Sequence, residues 1–523
     1  MAQLRHGGTI KQMYQRFSYM RQEEKDDSYS HILKYTGIFG GVQGLNILMG
    51  VVRNKLVALI LGPEGLGLIS LFNSSIKLLS DSTNLGIGMS AVREISDAYA
   101  NGDTARTEHV VRIVRMWSIL TAVIGALLCV TLSPLLNRWT FSWGEHTLHF
   151  MLLSPVVALM AITGGELAIL KGTRQLRHLA VISIYGVMGA LVTSIPLYLI
   201  WHEAAIVPSL VIIAALQAVF TIAYSYRMFP PRFGKSRAMF GEGLGMVRLG
   251  VAFVLAGVLG SGAEFAIRSY LNNVAGLSVV GLYNAGFMIT MTYAGMVFQA
   301  METDYFPRLS AVDGIGPQLN TLVNRQIEVS LLLVAPLLVL FIFAAPVLLP
   351  LLYSHKFTPV MGMAKFTVMA MYFRAVTLPI EYISLAKGRS RLYLCIEAVY
   401  DVVLVAAVVV GYNLAGLNGT GVAIAFTGLV NLVFVLLLTH HYYRYCVSPG
   451  VMMYSAVLFP LGIVSLAVSQ MFTGWAYWTL GGLLTLACIS VSVSILHSKS
   501  NIWNNIRSSI SARLPWRRHS DRR

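Results

Sequence analysis

Apolar stretches of about 20 residues alternate with short polar breaks along most of the chain. A helix needs about 20 apolar residues to cross a bilayer core about 30 Å thick, so each stretch predicts one membrane span. We therefore predict an all-α polytopic membrane protein with about fourteen transmembrane helices. The predicted spans lie near 36–61, 66–92, 116–136, 148–170, 178–200, 204–226, 249–272, 276–301, 329–352, 360–386, 391–413, 416–439, 450–472 and 474–496.

The composition supports lipid as the solvent, and the charge pattern predicts the topology. Hydrophobic residues make up 56% of the 523 residues and charged residues 12%, against roughly a quarter in soluble domains. The net charge is +16, yet the odd-numbered connections hold only Arg138 and Lys356. Lys and Arg concentrate instead in the even-numbered connections and both tails. We therefore expect both termini in the cytoplasm, a bacterial inner-membrane location and no nucleic-acid partner.

Short motifs recur between the two halves of the chain. The Lys-Gly pair at 171–172 returns at 387–388, 216 positions later, and the glycine motif at 62–68 returns at 276–282, 214 positions later. Because six spans separate the copies, we predict two parallel six-helix lobes around a central cavity, with a C-terminal helix pair outside the repeat. The predicted segments are a basic tail (1–31), an N-lobe (32–226), a cytoplasmic linker (227–248), a C-lobe (249–439), spans thirteen and fourteen (450–496) and a second basic tail (497–523).

Polar side chains form stripes along spans one, two, seven and eight. A charged group in hydrocarbon is costly, so such residues are expected to face a cavity and to take part in function. In span eight the stripe runs through Asn284, Met288, Gly295, Gln299 and Glu302. The predicted substrate-binding residues are Arg53, Lys55, Asn73, Lys77, Asp81, Glu264, Arg268 and Asn272.

Structural explanations remain open for these charges. Lys77 with Asp81, and Glu264 with Arg268, are spaced i to i+4 and could form ion pairs that only stabilise the helices. Arg53 and Lys55 could extend to the membrane interface instead of binding a ligand.

A second polar set lies in spans ten and eleven, at Arg374, Glu381, Glu397 and Asp401. Arg374 could pair with Glu397 or Asp401 between the helices. Buried carboxylates also suit transfer of a proton or a coupling ion, so structural pairing and coupling both remain open. Glu166 in span four has no evident partner.

No motif of an enzyme is present. The chain lacks the GxxxxGK[ST], HExxH and GxSxG patterns, so neither a catalytic residue, a metal nor a cofactor is expected. The four cysteines stand singly, and we expect them to be small core residues.

Three segments resemble the O-antigen and lipid III flippases, the Wzx-type polysaccharide translocases. They are 53–68 in the first hairpin, 351–358 after span nine, and 386–397 at the turn between spans ten and eleven. The resemblance runs from about residue 30 to 445. It implies the multidrug/oligosaccharidyl-lipid/polysaccharide exporter fold and export of an undecaprenyl-pyrophosphate-linked oligosaccharide by alternating access. A polysaccharide polymerase and a chain-length regulator become candidate partners, besides membrane lipids.

The two predicted C-terminal spans distinguish this chain from many relatives, which end after twelve spans. In the related lipid II flippases an added helix pair makes a groove for the lipid tail, so the resemblance makes that role a candidate for spans thirteen and fourteen.

Two alternatives to the flippase stay open. The first is a cation-coupled multidrug exporter of the same fold, and the second is a membrane scaffold for glycan assembly that transports nothing.

Overall fold

Helices account for nearly all of the structure, a computed structural model that describes residues 7–141, 144–231, 237–293, 295–312 and 314–499. The α-helices are α1 Gly7–Thr83, α2 Ile87–Ala100, α3 Thr104–Thr140, α4 Thr147–Leu152, α5 Ser154–Gly172, α6 Leu176–Trp201, α7 Ile206–Met228, α8 Arg237–Ala275, α9 Leu277–Phe287, α10 Gly295–Ser310, α11 Pro317–Leu352, α12 Val360–Ala386, α13 Ser390–Tyr443, α14 Pro449–Met471 and α15 Gly474–Lys499. Two 3-10 turns lie at His202–Ala205 and His355–Phe357, and Met288–Tyr293 is π-helical.

These helices make fourteen membrane segments, which confirms the predicted fold class. Gly62 (φ 67°) breaks α1 into two segments, and Gly416 (φ 58°) breaks α13 in the same way. In chain order the segments are TM1 and TM2 (α1 before and after Gly62), TM3 (α3), TM4 (α4 and α5), TM5 (α6), TM6 (α7), TM7 (α8), TM8 (α9 to α10), TM9 (α11), TM10 (α12), TM11 and TM12 (α13 before and after Gly416), TM13 (α14) and TM14 (α15).

TM2 ends earlier than the hydropathy indicates. The sequence predicts a span over 66–92, but the helix stops at Thr83 and a separate helix, α2, begins at Ile87. Leu85 (φ 54°) and Gly86 (φ 71°) both adopt left-handed backbone conformations, which cannot continue a right-handed helix. Consequently α2 is an amphipathic helix whose apolar side packs on TM3 and TM4.

The two lobes meet at the TM1–TM2 and TM7–TM8 hairpins. We call this end the hairpin side, and the opposite end, with the even-numbered connections, the basic side. A Cβ added at Gly67 would overlap the carbonyl oxygen of Leu277, and one added at Gly281 would overlap that of Pro63. These two contacts are equivalent positions of the repeat, and only glycine permits such an approach.

The hairpin side carries further contacts between the lobes. Asn272 donates from Nδ2 to the carbonyl oxygen of Thr140 at 2.8 Å, and Asn273 donates to that of Trp139 at 2.8 Å. Lys55 donates from Nζ to the carbonyl oxygen of Leu351 at 2.8 Å, which joins TM1 to the end of TM9. The two lobes are therefore closed against each other at this end.

TM13 and TM14 pack on TM9 and TM10 of the C-lobe. Gly462 lies against the ring of Tyr372, and Gly481 lies against that of Phe343. Tyr477 donates its hydroxyl to the carbonyl oxygens of Ile342 and Phe343, at 3.2 and 3.1 Å. The helix pair thus extends the C-lobe on its outer surface.

Cys129 and Cys488 are buried as expected, but Cys395 and Cys446 are exposed, so the interpretation as core residues is wrong for that pair. Cys446 lies in the connection before TM13, at the end of two membrane helices. The cytoplasmic placement of both termini stays a prediction, and the C-terminal tail from 500 onward lies outside the described residues.

Candidate functional site

The polar stripe of TM2 begins where the buried hairpin ends. Every residue from Gly65 to Phe72 is buried, whereas Asn73 and Lys77 are exposed and Asp81 is partly exposed. Charged side chains at this depth are costly in lipid, so their exposure indicates a water-filled cleft between the lobes. The cleft is closed on the hairpin side by the contacts between the two hairpins.

An ion-pair network crosses this cleft from TM2 to TM7. Lys77 Nζ lies 2.8 Å from Glu264 Oε1, and Arg268 Nη1 lies 3.1 Å from Glu264 Oε2. The side chains of Lys77 and Glu264 are 49% and 31% exposed, whereas that of Arg268 is 8% exposed. The sequence therefore identified the Glu264–Arg268 pair, but Lys77 pairs with Glu264 across the lobes and not with Asp81.

Arg268 joins three helices from its buried position. Its Nε donates to Ser70 Oγ at 2.8 Å and its Nη2 donates to Asn284 Oδ1 at 3.2 Å. With Glu264, these partners satisfy most of the guanidinium donors, so burial of the charge is compensated. Arg268 thus holds Glu264 in place, while Lys77 presents the more accessible cation.

Two carboxylates lie beside TM7. Asp81 of TM2 lies by Gly257 and Ser261, and Asp401 of TM11 lies by Gly260, where an added Cβ would be 3.8 Å from Asp401 Oδ2. Asp401 is buried, and its Oδ2 has no hydrogen-bond partner in the described part of the chain. Asp401 therefore lies beside TM7, the helix that carries Glu264 and Arg268 of the network between the lobes.

The other predicted substrate-binding residues lie apart from this network. Arg53 Nε contacts Ser194 Oγ of TM5 at 3.4 Å within the N-lobe. Lys55 belongs to the contact with TM9 on the hairpin side. Asn272 is 2% exposed and its side-chain amide binds TM3, so it does not reach the cleft in this conformation.

A separate cavity lies inside the C-lobe, among TM8, TM10, TM11 and TM12. Its volume of about 70 Å³ is enough for a few water molecules. Arg374, Glu381 and Glu397 line it, so three of the four residues of the second predicted set are together. Within the described residues Arg374 makes no ion pair, and its Nε is buried without a hydrogen-bond partner.

Sequence reasoning missed Asn431 and Tyr400, which line the same cavity. Asn431 Nδ2 donates to Glu381 Oε1 at 2.7 Å. Asn431 could have been found from the sequence, because it is a polar residue in the middle of an apolar span. No group of three or more His, Cys, Asp or Glu residues that could hold a metal occurs in the ranges the structure covers.

The architecture and the polar cleft define a class of protein: a multi-pass membrane transporter with two parallel six-helix lobes. A family model described as "Polysaccharide biosynthesis protein" matches residues 56–362. The chain belongs to this polysaccharide biosynthesis protein family, which confirms the predicted resemblance at the level of the family. No curated protein sequence matches the chain.

Solved structures with the same fold include a flippase and multidrug transporters. The lipid II flippase MurJ, in an inward closed conformation, has a TM-score of 0.63 at 12% identity, covering 88% of this chain and 99% of that one. An inward-facing multidrug resistance MATE family transporter of the MOP superfamily has a TM-score of 0.57 at 18% identity, covering 79% and 95%. An outward-facing conformation of such a transporter gives 0.55 at 17% identity, covering 80% and 93%. At these identities the likeness establishes the fold.

Proposed function

We propose that the protein is a flippase that moves an undecaprenyl-pyrophosphate-linked oligosaccharide across the inner membrane by alternating access. The repeat unit of O-antigen or a related surface polysaccharide is the intended cargo. Family membership and the MurJ-like fold support a membrane flippase. A polymerase and a chain-length regulator are the proposed downstream partners.

The observation that carries this proposal is the accessible cation in the cleft. Lys77 is half exposed between the lobes, and its single described partner, Glu264, is shared with Arg268. A pyrophosphate entering the cleft can bind the ammonium group of Lys77 by charge-assisted hydrogen bonds. Glu264 then stays paired with Arg268, so neither of these two charges is left without a partner. Asn73 and Asp81, on the same stripe, face the path of the glycan hydroxyl groups.

Arg53 extends the cationic path toward the hairpin side. It lies 9 residues from the break at Gly62, or about 14 Å along the helix, whereas Lys77 lies 15 residues, or about 23 Å, from that break. Arg53 can therefore receive the pyrophosphate only after the lobes have begun to separate. The prenyl chain would stay in lipid throughout.

The test is to replace Lys77, Arg53 and Arg268 singly by Ala and to locate the lipid-linked oligosaccharide in inverted membrane vesicles. We expect the substrate to remain on the cytoplasmic leaflet and the surface glycan to disappear, with the protein still present in the membrane. Lys171→Ala, which removes an exposed lysine outside the cleft, is the matched control.

Normal surface glycan in all three variants would reject the assignment. If a strain that lacks the protein keeps its surface glycan but becomes sensitive to cationic drugs, the multidrug exporter is the correct function. If neither changes and no substrate moves, the scaffold for glycan assembly is favoured.

The C-lobe cavity is the proposed coupling element. Glu381 and Glu397 share it with Arg374, and Asp401 lies between it and the cleft, so protons or cations bound there could bias the lobe positions. We expect Glu381→Gln, Glu397→Gln and Asp401→Asn to reduce the dependence of flipping on a pH or Na⁺ gradient. If each variant flips with the gradient dependence of the wild type, these groups only stabilise the C-lobe.

A further inference from the structure

A second cavity lies on the basic side, remote from the cleft between the lobes. It has a volume of about 710 Å³, within the range of small-ligand sites. It is formed where α11 begins, where α13 ends and where α14 begins. Because three membrane helices end there, the cavity lies at the level of the membrane surface.

Two arginines line this cavity without a counter-charge of their own. Arg325 and Arg444 are exposed, and neither guanidinium group makes a hydrogen bond or ion pair with any residue that the structure describes. Glu328 also lines the cavity, but it is already engaged in another interaction. The free charge of the cavity is therefore positive.

The first turn of α11 adds uncapped backbone donors to the same cavity. Its N-cap residue, Gly316, has no side chain to accept a hydrogen bond, and Pro317 occupies the first helical position. The N–H group of Gln318, an exposed residue next to the lining residue Pro317, thus has no partner within the helix, and it lies at the positive end of a 36-residue helix. By contrast, the start of α14 is capped by the hydroxyl of Ser448.

A buried polar atom without a partner provides independent support for a ligand. Tyr443 lines the cavity and is 1% exposed, and its hydroxyl lies beside the buried hydroxyl of Ser384 in the C-lobe. Asn320 also lines it, and its Oδ1 is buried and unpaired. An unpaired buried acceptor of this kind is costly, and a hydroxyl group of a ligand would satisfy it.

We propose that this cavity binds the headgroup of an anionic phospholipid. The phosphodiester accepts hydrogen bonds from Arg325, Arg444 and the backbone amide of Gln318, and a headgroup hydroxyl donates to Asn320 Oδ1. The apolar side chains of Ile315 and Val447 at the rim contact the first carbons of the acyl chains. Basic pockets between membrane helices on the cytoplasmic side commonly hold such headgroups.

Cys446 lines the cavity and supplies a direct reporter. In a full-length Cys395→Ser variant, Cys446 is the exposed cysteine that remains, because Cys129 and Cys488 are buried. The purified protein in phosphatidylcholine nanodiscs is treated with N-ethylmaleimide while the phosphatidylglycerol content is raised. We expect labelling of Cys446 to slow several-fold with phosphatidylglycerol and to stay constant with added phosphatidylcholine.

Charge variants identify the groups responsible for protection. Arg325→Gln with Arg444→Gln should weaken protection about tenfold or more, because each cation near an anionic surface contributes a several-fold effect. Arg106→Gln with Arg177→Gln removes the same charge from exposed positions of the N-lobe on the basic side and should leave protection unchanged. An equal loss in both double variants would mean general surface attraction and would overturn the proposal.

Gly316 permits a sharper comparison, because an added Cβ there meets no atom within 4 Å. Gly316→Asn and Gly316→Asp both cap α11, but only the aspartate places a negative charge at the site. We expect protection to be lost in Gly316→Asp and largely kept in Gly316→Asn. Absence of protection by phosphatidylglycerol in the parent, or equal protection by glycerophosphoglycerol or inorganic phosphate alone, would overturn the lipid assignment.

Discussion

Arg115 and Glu166 form a buried ion pair at the basic end of the N-lobe. Arg115 Nε donates to Glu166 Oε1 at 2.8 Å, its Nη2 donates to Oε2 at 3.2 Å, and its Nη1 donates to the carbonyl oxygen of Phe229 at 2.8 Å. The two side chains are 7% and 3% exposed. The pair thus ties TM3, TM4 and the end of TM6 together, and it explains the acidic residue that has no evident partner in the sequence.

Arg115→Ala should destabilise the protein by about 3–5 kcal/mol, because Glu166 is then buried without a counter-charge. Replacing both partners together, as Arg115→Met with Glu166→Leu, should cost much less, since no charge remains to desolvate. Thermal unfolding in detergent measures both. Equal losses in the single and double variants would show that lost packing, and not the orphaned charge, is responsible.

His146, in the connection between TM3 and TM4, is expected to make stability depend on pH. Burial, together with repulsion from His149, lowers the pKa of His146, and the two Nδ1 atoms lie 3.4 Å apart. A base whose folded pKa is depressed loses its favourable contribution as pH falls through the unfolded pKa, about 6.5. Stability should therefore be retained at neutral pH and decline below about 6.5.

The check on this prediction is the melting temperature between about pH 7.5 and 5.5. His146→Gln should reduce the decrease, whereas His355→Gln, on another connection of the same side, should not. An unchanged decrease in His146→Gln would assign the pH dependence to other groups.

At the scale of elements, the two hairpins control closure of the hairpin side. Gly67→Ala or Gly281→Ala puts a methyl group into the opposing backbone, so the lobes cannot close as observed. We expect a cysteine at position 73 to become reactive toward an impermeant maleimide from the hairpin side, and flipping to fall sharply. Vesicles of both orientations, in a Cys395→Ser, Cys446→Ser background, measure the change.

Gly50→Ala in TM1 is the matched control, because an added Cβ there meets no atom within 4 Å. It should leave both the labelling and the flipping unchanged. Labelling from the hairpin side that stays low in Gly67→Ala would mean that the lobes remain sealed by Asn272, Asn273 and Lys55 alone.

The helices and the repeat were predictable because each depends on local hydropathy and on recurring motifs. The break at Leu85–Gly86 was not, since a left-handed leucine leaves no hydrophobic signal. The π-helical Met288–Tyr293 segment departs from the regular helical spacing on which the predicted stripe of span eight was based. The side chains of Gln299 and Glu302 lie outside the described part, so that end of the stripe stays a prediction. The predicted offset of the repeat was also two residues too long at the turn after TM4 and TM10. The Lys-Gly motif gave an offset of 216, but the equivalent left-handed residues are Arg174 and Gly388, which are 214 apart.

The polar residues of the site were found because ionisable groups are rare in apolar spans. Their partners were harder to predict. Lys77 has Asp81 one turn away, yet it bonds Glu264, which is 187 positions distant in the sequence. Which of two nearby carboxylates a lysine contacts depends on the packing of TM2 against TM7, and no periodicity along a single helix encodes that packing.

On the scale of the whole molecule, a buried lysine marks the attachment of TM13 and TM14. Lys365 of TM10 donates from Nζ to the carbonyl oxygen of Ser469 at 3.1 Å and lies over the ring of Tyr477, 5.1 Å from its centroid. Ser469 is in the last turn of α14, where the helix dipole favours a cation. The helix pair is thus fastened to the C-lobe by packing and by one charge.

Lys365→Ala should lower the stability of the protein by about 2 kcal/mol or more, because it removes both the charge contact and buried stem volume. Lys365→Met keeps the volume without a charge and should be close to neutral. Limited proteolysis between TM12 and TM13, with thermal unfolding, measures whether the pair detaches. If Met is as damaging as Ala, the ammonium group itself holds the pair.

The hairpin contact also bears on how such a chain could arise. Gly67 meets Leu277 and Gly281 meets Pro63, so each half presents the same surface to the other. That reciprocity is the defining property of an isologous twofold interface between identical subunits. A six-helix ancestor with a single hairpin glycine could have formed this seal as a homodimer, and fusion of two copies would then have freed each half to acquire its own charges.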